Sequence, residues 1–378
     1  MTTFNPRLHG MRALAAIGVL LFHWAQLYPV QTTLHPGSND FGFRWHLSFF
    51  IGFGWMGVTL FFVLSGYLLT SILKSRPVTG RATLYFWRRR ILRIYPAVWL
   101  QVAIFAALGA SIDGLPSMQW DTKSISNAFL FINLPPLMVS PINLVWWTLP
   151  IELSFYLLLP VLVLASRRLP WPIITLACIA ITVCWRWATI AVINDPPFYK
   201  HLNVLDSFPG ILTPFILGFA IAHLPTPRLR WHYAALTASL IAAYLLLLAI
   251  NFNLSSYWQG GLMLILWPSL LAVTIAGAVW ACSAALPGFT WLGSKPLVWL
   301  GNLSFGIYLW HYPCFTVVKT SWPHLANNFS GSIISLIITC VVTLILAAFS
   351  YYFIEKPVMG WRHPKAISKT SVGSTKHN

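Results

Sequence analysis

The sequence predicts an all-α integral membrane protein with about ten transmembrane helices and both termini in the cytoplasm. Three observations carry that prediction. Of 378 residues, 57% are hydrophobic; only 8% are charged, against roughly 25% in a soluble domain; and the basic residues gather in every second inter-span loop. So few charges cannot cover an aqueous surface. A net charge of +17 would point to nucleic acid in a soluble chain. Here basic loops orient a membrane protein instead, so lipid is the expected surround and nucleic acid is not a partner.

Apolar stretches place spans near 11–29, 50–73, 94–111, 144–165, 171–193, 207–224, 232–250, 261–286, 298–318 and 332–354. Residues 13–22 imitate the core of a signal peptide, but His23 and Trp24 stand where small cleavage-site residues belong, so the first span reads as uncleaved. With the N-terminus inside, Arg7 and Arg12 are cytoplasmic. So are Lys74, Arg76, Arg81, Arg88, Arg89, Arg90 and Arg93 in the first inner loop, then Arg167, Arg168, Arg228, Arg230 and Lys295. Lys356, Arg362, Lys365, Lys369 and Lys376 follow in the tail. Only Arg44, Lys123, Lys200 and Lys319 fall outside, with Arg186 inside a span. The positive-inside rule holds at every turn, and a shift by one span inverts it. This makes the chain a multi-pass protein of the inner (plasma) membrane. The outer loops 112–143 and 194–206 are too short for a soluble domain, so residues 1–362 read as one membrane domain and 363–378 as a polar cytoplasmic tail.

The five cysteines (Cys178, Cys184, Cys282, Cys314 and Cys340) lie in apolar runs without metal-ligand spacing. They read as core residues, and neither a metal site nor a cofactor is expected.

Ionisable groups in spans are costly and by default face an interior cavity. Arg12 and His23 are eleven residues apart in the first span, close to three helical turns, which puts them on one face about 16 Å apart. Each also has a plain reading, Arg12 as a snorkelling anchor and His23 as a packed, hydrogen-bonded ring. Glu152 is the carboxylate in the middle of a span, with a functional role or an ion pair to Arg186 as its two readings. Arg90 and Arg93 sit three apart and converge on one anion if that run is helical, guanidinium forks being suited to phosphate. Otherwise the run serves topology or anionic lipid. Ser304, Tyr308 and His311 share a helical face, lining a cavity or bonding to neighbouring helices.

Six fragments then fall in a specific order: Met11-Arg12-Ala13-Leu14-Ala15 leading to His23; Gly57-Val58-Thr59-Leu60-Phe61-Phe62-Val63-Leu64-Ser65-Gly66-Tyr67; Arg89-Arg90-Ile91-Leu92-Arg93 before Pro96; Trp147-Thr148-Leu149-Pro150-Ile151-Glu152 with Phe155-Tyr156; Ser304 to His311; and Phe353-Ile354-Glu355-Lys356-Pro357. In these the chain resembles the acyltransferase-3 family of membrane acyltransferases over nearly its full length. It departs from the family's usual pattern at His9, where an acid is frequent, and at Leu153, where a second acid commonly follows Glu152. No hydrolase-like domain of the kind some relatives carry follows, so transfer is expected to finish in the membrane domain or on a separate protein.

The resemblance implies transfer of an acetyl group from cytoplasmic acetyl-CoA to a sugar hydroxyl across the membrane. The acceptor it suggests is a carbohydrate or lipid-linked oligosaccharide precursor, an exopolysaccharide unit in particular. On that basis Arg12, Arg90 and Arg93 bind the donor and His23 acts as base. Glu152 orients His23 or holds the sugar, and Ser304, Tyr308 and His311 line the acceptor side. Acetyl-CoA is then a substrate, not a cofactor. Two rivals stand beside this: a proton-coupled transporter, since intramembrane His, Glu and Arg serve transport too, and a non-catalytic partner of a polysaccharide assembly complex. Two matching halves with broken helices would favour the transporter; Pro150, Pro214, Pro268 and Pro313 interrupt spans, but no such halves are seen.

Overall fold

The computed structural model describes residues 5–28, 47–134, 138–225, 229–284 and 287–360. The polar tail over 363–378, and Arg44, Arg228 and Arg362 among the topology-setting residues, lie outside these.

All ten expected positions are helical. The helices are α1 (Pro6–Leu27), α2 (Met56–Lys74), α3 (Gly80–Leu108), α4 (Thr148–Ala165), α5 (Trp171–Ile193), α6 (Leu212–Ile221), α7 (Leu229–Phe252), α8 (Leu262–Ser283), α9 (Lys295–Ser321) and α10 (Phe329–Phe349). Among the described residues, eight helices are long and apolar enough to cross a membrane, and a pair bent by 99°, Phe198–Leu205 with Pro209–Ile221, makes up to a ninth if it is counted as one span. The helix left out of that count is α9, whose 27 residues run about 40 Å. Length is not its limit; its polar stripe makes it less apolar.

Local signals start these helices. The Asn5 side chain accepts from the Arg7 backbone N–H at 3.1 Å with Pro6 behind it, which opens α1. Thr79 caps α3 and Asn328 caps α10 in the same manner. The cap at Thr79 moves the start of the third helix well ahead of residue 94. The basic run from Arg88 to Arg93 is therefore part of a 29-residue helix, not a loop.

Proline has two different uses. Pro150 and Pro214 stand in the first turns of α4 and α6, where no intrahelical N–H bond is required, so they do not interrupt those helices. Pro96, Pro160, Pro268 and Pro313 lie inside helices. Each such proline frees a carbonyl four residues back, and for three of them another segment supplies the donor. Trp87 Nε1 donates to Tyr156 O at 2.9 Å, and Arg186 Nε to Leu264 O at 3.0 Å. Leu309 O accepts from Gln101 Nε2 at 2.9 Å and from Asn143 Nδ2 at 3.0 Å. In a lipid-surrounded bundle, where no water repairs a broken ladder, this is what makes the prolines tolerable.

The helices close on one another through small residues and aromatic stacks. A Cβ on Gly66 would strike the Phe215 carbonyl oxygen and one on Gly218 the Val63 carbonyl oxygen, so α2 and α6 pack backbone to backbone. Phe215 of α6 stacks between Phe62 of α2, 4.4 Å between centroids, and Phe155 of α4, 4.3 Å. Gly301 of α9 lets α1 approach in the same way, its missing Cβ facing the His9 carbonyl.

Along that contact Arg12 meets Ser304 and His23 meets His311, so α1 and α9 run in the same direction. An odd number of crossings must separate two parallel spans, and α2 to α8 supply it with the bent pair as a single crossing. α10 returns antiparallel: Trp24 Nε1 of α1 donates to Ser332 O near the start of α10, and Trp299 Nε1 of α9 to Tyr352 Oη just past its end. The helix then continues as a π-helical turn, Ser350–Glu355, into Lys356–Gly360. That extension buries Glu355, so Glu152 is not the only carboxylate inside the bundle.

Candidate functional site

A cavity of about 670 Å³ opens among α1, α2, α3, α4 and α9. Five of its polar walls are residues singled out in the sequence: Arg12, Arg90, Arg93, Glu152 and Ser304, with Tyr308 as a sixth. The apolar walls come mainly from α2, including Val58, Phe61, Leu68, Leu69 and Ile72. Each basic group is delivered by helical geometry. Arg12 lies just beyond the capped start of α1, and the three-residue step between Arg90 and Arg93 turns both heads of α3 to the same side.

The arginine heads have few partners. Arg12 Nε donates to Ser304 Oγ at 3.4 Å, and its guanidinium lies 5.7 Å from the Phe61 ring centre. Arg93 Nη1 approaches Glu355 Oε2 at 3.4 Å and Met359 Sδ at 3.8 Å. Arg90 stacks over Phe86 and Tyr156, 5.8 Å from each ring, and its buried Nε has no hydrogen-bond partner. Three guanidiniums thus share the negative charge of Glu152 and Glu355, which leaves the site positive and with unspent N–H donors.

Glu152 is held by hydroxyls. Ser65 Oγ donates to its Oε1 at 3.2 Å, and the Tyr156 hydroxyl, one turn along α4, donates to the same oxygen. Neither His23 nor Arg186 is among its hydrogen-bond or ion-pair partners. Arg186 pairs with Asp206 Oδ1 at 2.8 Å.

His23 and His311 sit beside the cavity and do not line it. His23 Nδ1 lies 2.9 Å from His311 Nε2, and His311 Nδ1 lies 3.0 Å from Ile307 O. Tyr308 connects the two places: its ring lines the cavity and stands 6.0 Å from His311. Its hydroxyl donates to Val145 O and shares a 2.9 Å contact with Thr148 Oγ1. The Tyr312 ring packs against His23 in a T-shaped arrangement, 5.2 Å between centroids. The structure therefore joins Arg12, Arg90, Arg93, Glu152, Ser304 and Tyr308 in one cavity, and joins His23 and His311 in an adjoining pair.

Sequence reasoning gave no role to Ser65, Thr148, Tyr156 or Glu355, all of which touch predicted residues. One signal was there for Tyr156, four residues after Glu152 on one helical face. His9, noted as a departure, lines the cavity and hydrogen-bonds Asn302.

Comparison with known proteins places this geometry in context. Residues 5–352 match the acyltransferase domain of the acyltransferase-3 family. The chain is 29% identical to the putative peptidoglycan O-acetyltransferase YrhL of Bacillus subtilis, over 98% of this chain and 60% of that protein. It is 26% identical to the peptidoglycan O-acetyltransferase OatA of Listeria monocytogenes, over 94% of this chain and 56% of that protein. Identity is likewise 26% with the O-acetyltransferase OatA of Staphylococcus aureus, over 94% and 57%. The chain thus spans less than two thirds of the length of these relatives. No solved structure matches it.

Proposed function

The chain belongs to the acyltransferase-3 family, and on that premise we propose that it is a membrane O-acetyltransferase with acetyl-CoA as donor and a carbohydrate hydroxyl as acceptor. The observation that carries this reading is an arginine-lined cavity followed, about 16 Å further along α1, by a histidine pair. A pantetheine arm, equivalent to about four or five extended peptide units, spans roughly 15 Å. Phosphates held by Arg12, Arg90 and Arg93 therefore put the thioester within reach of His23.

In the transfer step His23 takes the acceptor's hydroxyl proton as that oxygen bonds to the acetyl carbonyl carbon. The carbon–sulfur bond breaks, and the departing CoA thiolate receives the proton. Glu152, fixed by Ser65 and Tyr156, balances the arginine charge. In this reading the donor mouth faces the cytoplasm of the inner membrane and the histidines face the far side, which the distribution of basic residues supports. The acceptor is a saccharide hydroxyl of a cell-envelope polymer or its lipid-linked precursor. The relatives' names bring peptidoglycan in beside the exopolysaccharide unit expected from sequence.

The test uses purified protein in vesicles with labelled acetyl-CoA, offering a peptidoglycan fragment and a lipid-linked saccharide in parallel. Label should pass to a saccharide with wild type, and His23→Gln, which keeps size but accepts no proton near neutrality, should lose about 10²–10⁴-fold in turnover. No label on either acceptor, or near-normal turnover by the glutamine variant, overturns the reading. For orientation, cysteines placed at Ser75 and Ser166 should be shielded from an impermeant thiol reagent in intact cells, and one at Ser117 labelled; the reverse pattern inverts the donor side.

A further inference from the structure

Beside the cavity, the contact between His23 and His311 has a direction that can be worked out from its neighbours. A carbonyl oxygen only accepts hydrogen bonds, so His311 Nδ1, 3.0 Å from Ile307 O, must carry a hydrogen. In a neutral imidazole the other nitrogen is then bare, and His311 Nε2 is an acceptor. The group facing it at 2.9 Å, His23 Nδ1, must therefore be the donor. His23 in turn is left with its lone pair on Nε2. Which ring nitrogen of a histidine holds the proton is set by the bond the other makes, and here that bond runs to His311. His311 is fully buried. The Val19 backbone, one turn back on α1, also hydrogen-bonds the His23 ring, as Ile307 O does that of His311, so His311 shares the holding of His23 with it. His311 is the side-chain hydrogen-bond partner of His23 among the described residues.

We infer that His311 is the positioning residue of this site: through Ile307 O, it fixes His23 in the tautomer whose Nε2 is free to take the acceptor's proton. The inference rests on the reading of His23 as base. It gives the ninth helix a task distinct from cavity lining. The Ser304 and Tyr308 steps of the stripe face the cavity, whereas the His311 step acts on the first helix without touching either substrate. It also accounts for the parallel packing of α1 and α9, which brings the two rings to the same depth.

The experiment compares two substitutions of similar size in the full chain, reconstituted and assayed with labelled acetyl-CoA and a saccharide acceptor. His311→Gln retains a carbonyl that accepts from His23 Nδ1–H; His311→Leu retains bulk and no acceptor. The leucine variant should lose about ten- to a hundredfold in kcat, the glutamine variant should recover most of that loss, and KM for acetyl-CoA should be unchanged in both. A leucine variant that is well folded by gel filtration and turns over normally refutes the inference and leaves the proposed function intact. Equal loss in both variants also refutes it, since a hydrogen-bond acceptor would then not be what His311 supplies. His23→Gln, run alongside, separates the two ideas: its activity at near wild-type rate removes the base and the positioning role together.

Discussion

Arg186 and Arg90 both carry a guanidinium inside the helical bundle, yet their hydrogen bonding differs in kind. Arg186 is 1% exposed and bonded through two of its three nitrogens. Its Nε reaches Leu264 O, and its Nη1 reaches Asp206 Oδ1 at 2.8 Å with Leu205 O and Gly210 O both at 3.3 Å. These bonds tie α5 to α8 and to the corner of the bent pair. Arg90, with Arg12 and Arg93, borders open volume and rests mainly on aromatic faces, with a buried Nε left over. A buried cation bonded to a carboxylate and to several carbonyls holds a fold together. One whose donors are unspent beside a cavity is ready for an anion, because desolvating it has already been offset elsewhere in the structure and a ligand adds bonds without breaking any.

The largest effect that would test this contrast is on stability. Arg186→Met keeps much of the length but strands Asp206 and several carbonyls. Breaking a buried pair from one side costs about 3–5 kcal/mol, so the purified variant should unfold at markedly lower temperature in detergent while any folded fraction binds acetyl-CoA normally. Arg90→Met, facing the cavity, should leave thermal stability almost unchanged. Similar losses for both would erase the distinction between clamp and site.

Next in size is donor affinity. Arg90→Ala and Arg93→Ala should each weaken acetyl-CoA binding by about 1.5–3 kcal/mol, roughly tenfold or more, the range for a charge-assisted hydrogen bond. Acceptor KM should hardly move. Lysine at either position should restore part of the affinity, since it supplies charge without the planar fork. Of the two, Arg93→Ala also releases Glu355 from its 3.4 Å partner, so it should cost some stability where Arg90→Ala does not. Equal weakening of donor and acceptor would assign the cluster to packing.

Much of this was legible in the sequence because lipid makes strong demands. The helical positions follow from hydropathy. Arg12, Arg90, Arg93, Glu152, Ser304 and Tyr308 stood out because polar groups in apolar stretches need a reason, and all six border one cavity. What was not legible depends on chain reversal. Asp206 becomes the partner of Arg186 because the bent pair folds back by 99°, which no periodicity announces. Glu355 looked like the end of a span; the π-helical turn carries it back inside. His23 and His311 are 288 residues apart, and only the parallel packing of α1 and α9 makes them neighbours. Hydroxyls were the hardest. Ser65 donates to Glu152, whereas Ser154 donates to the Pro150 carbonyl of its own helix, and both appear in sequence simply as a serine in an apolar run.

The smallest predicted effect sharpens the contrast from its neutral side. Arg186 caps the carbonyl freed by Pro268, and Trp87 does the same for the carbonyl of Tyr156 freed by Pro160, without any charge. Tyr156 borders the cavity and holds Glu152, so this cap steadies a wall of the site. Trp87→Phe removes the indole N–H and should cost about 0.5–1.5 kcal/mol, the net worth of one hydrogen bond. Pro160→Ala gives α4 an N–H at position 160 that can bond to Tyr156 O within the helix. In that background the tryptophan cap becomes redundant, and Trp87→Phe should cost close to nothing. A double-mutant cycle read by unfolding in detergent should therefore show a coupling of about 1 kcal/mol. If Trp87→Phe costs the same in both backgrounds, its contribution is ring packing, and the proline-freed carbonyl is not what the indole serves. A coupling of the expected size would mean that helix breaks in this bundle are repaired individually from neighbouring helices, by charge at Arg186 and by a neutral donor beside the site.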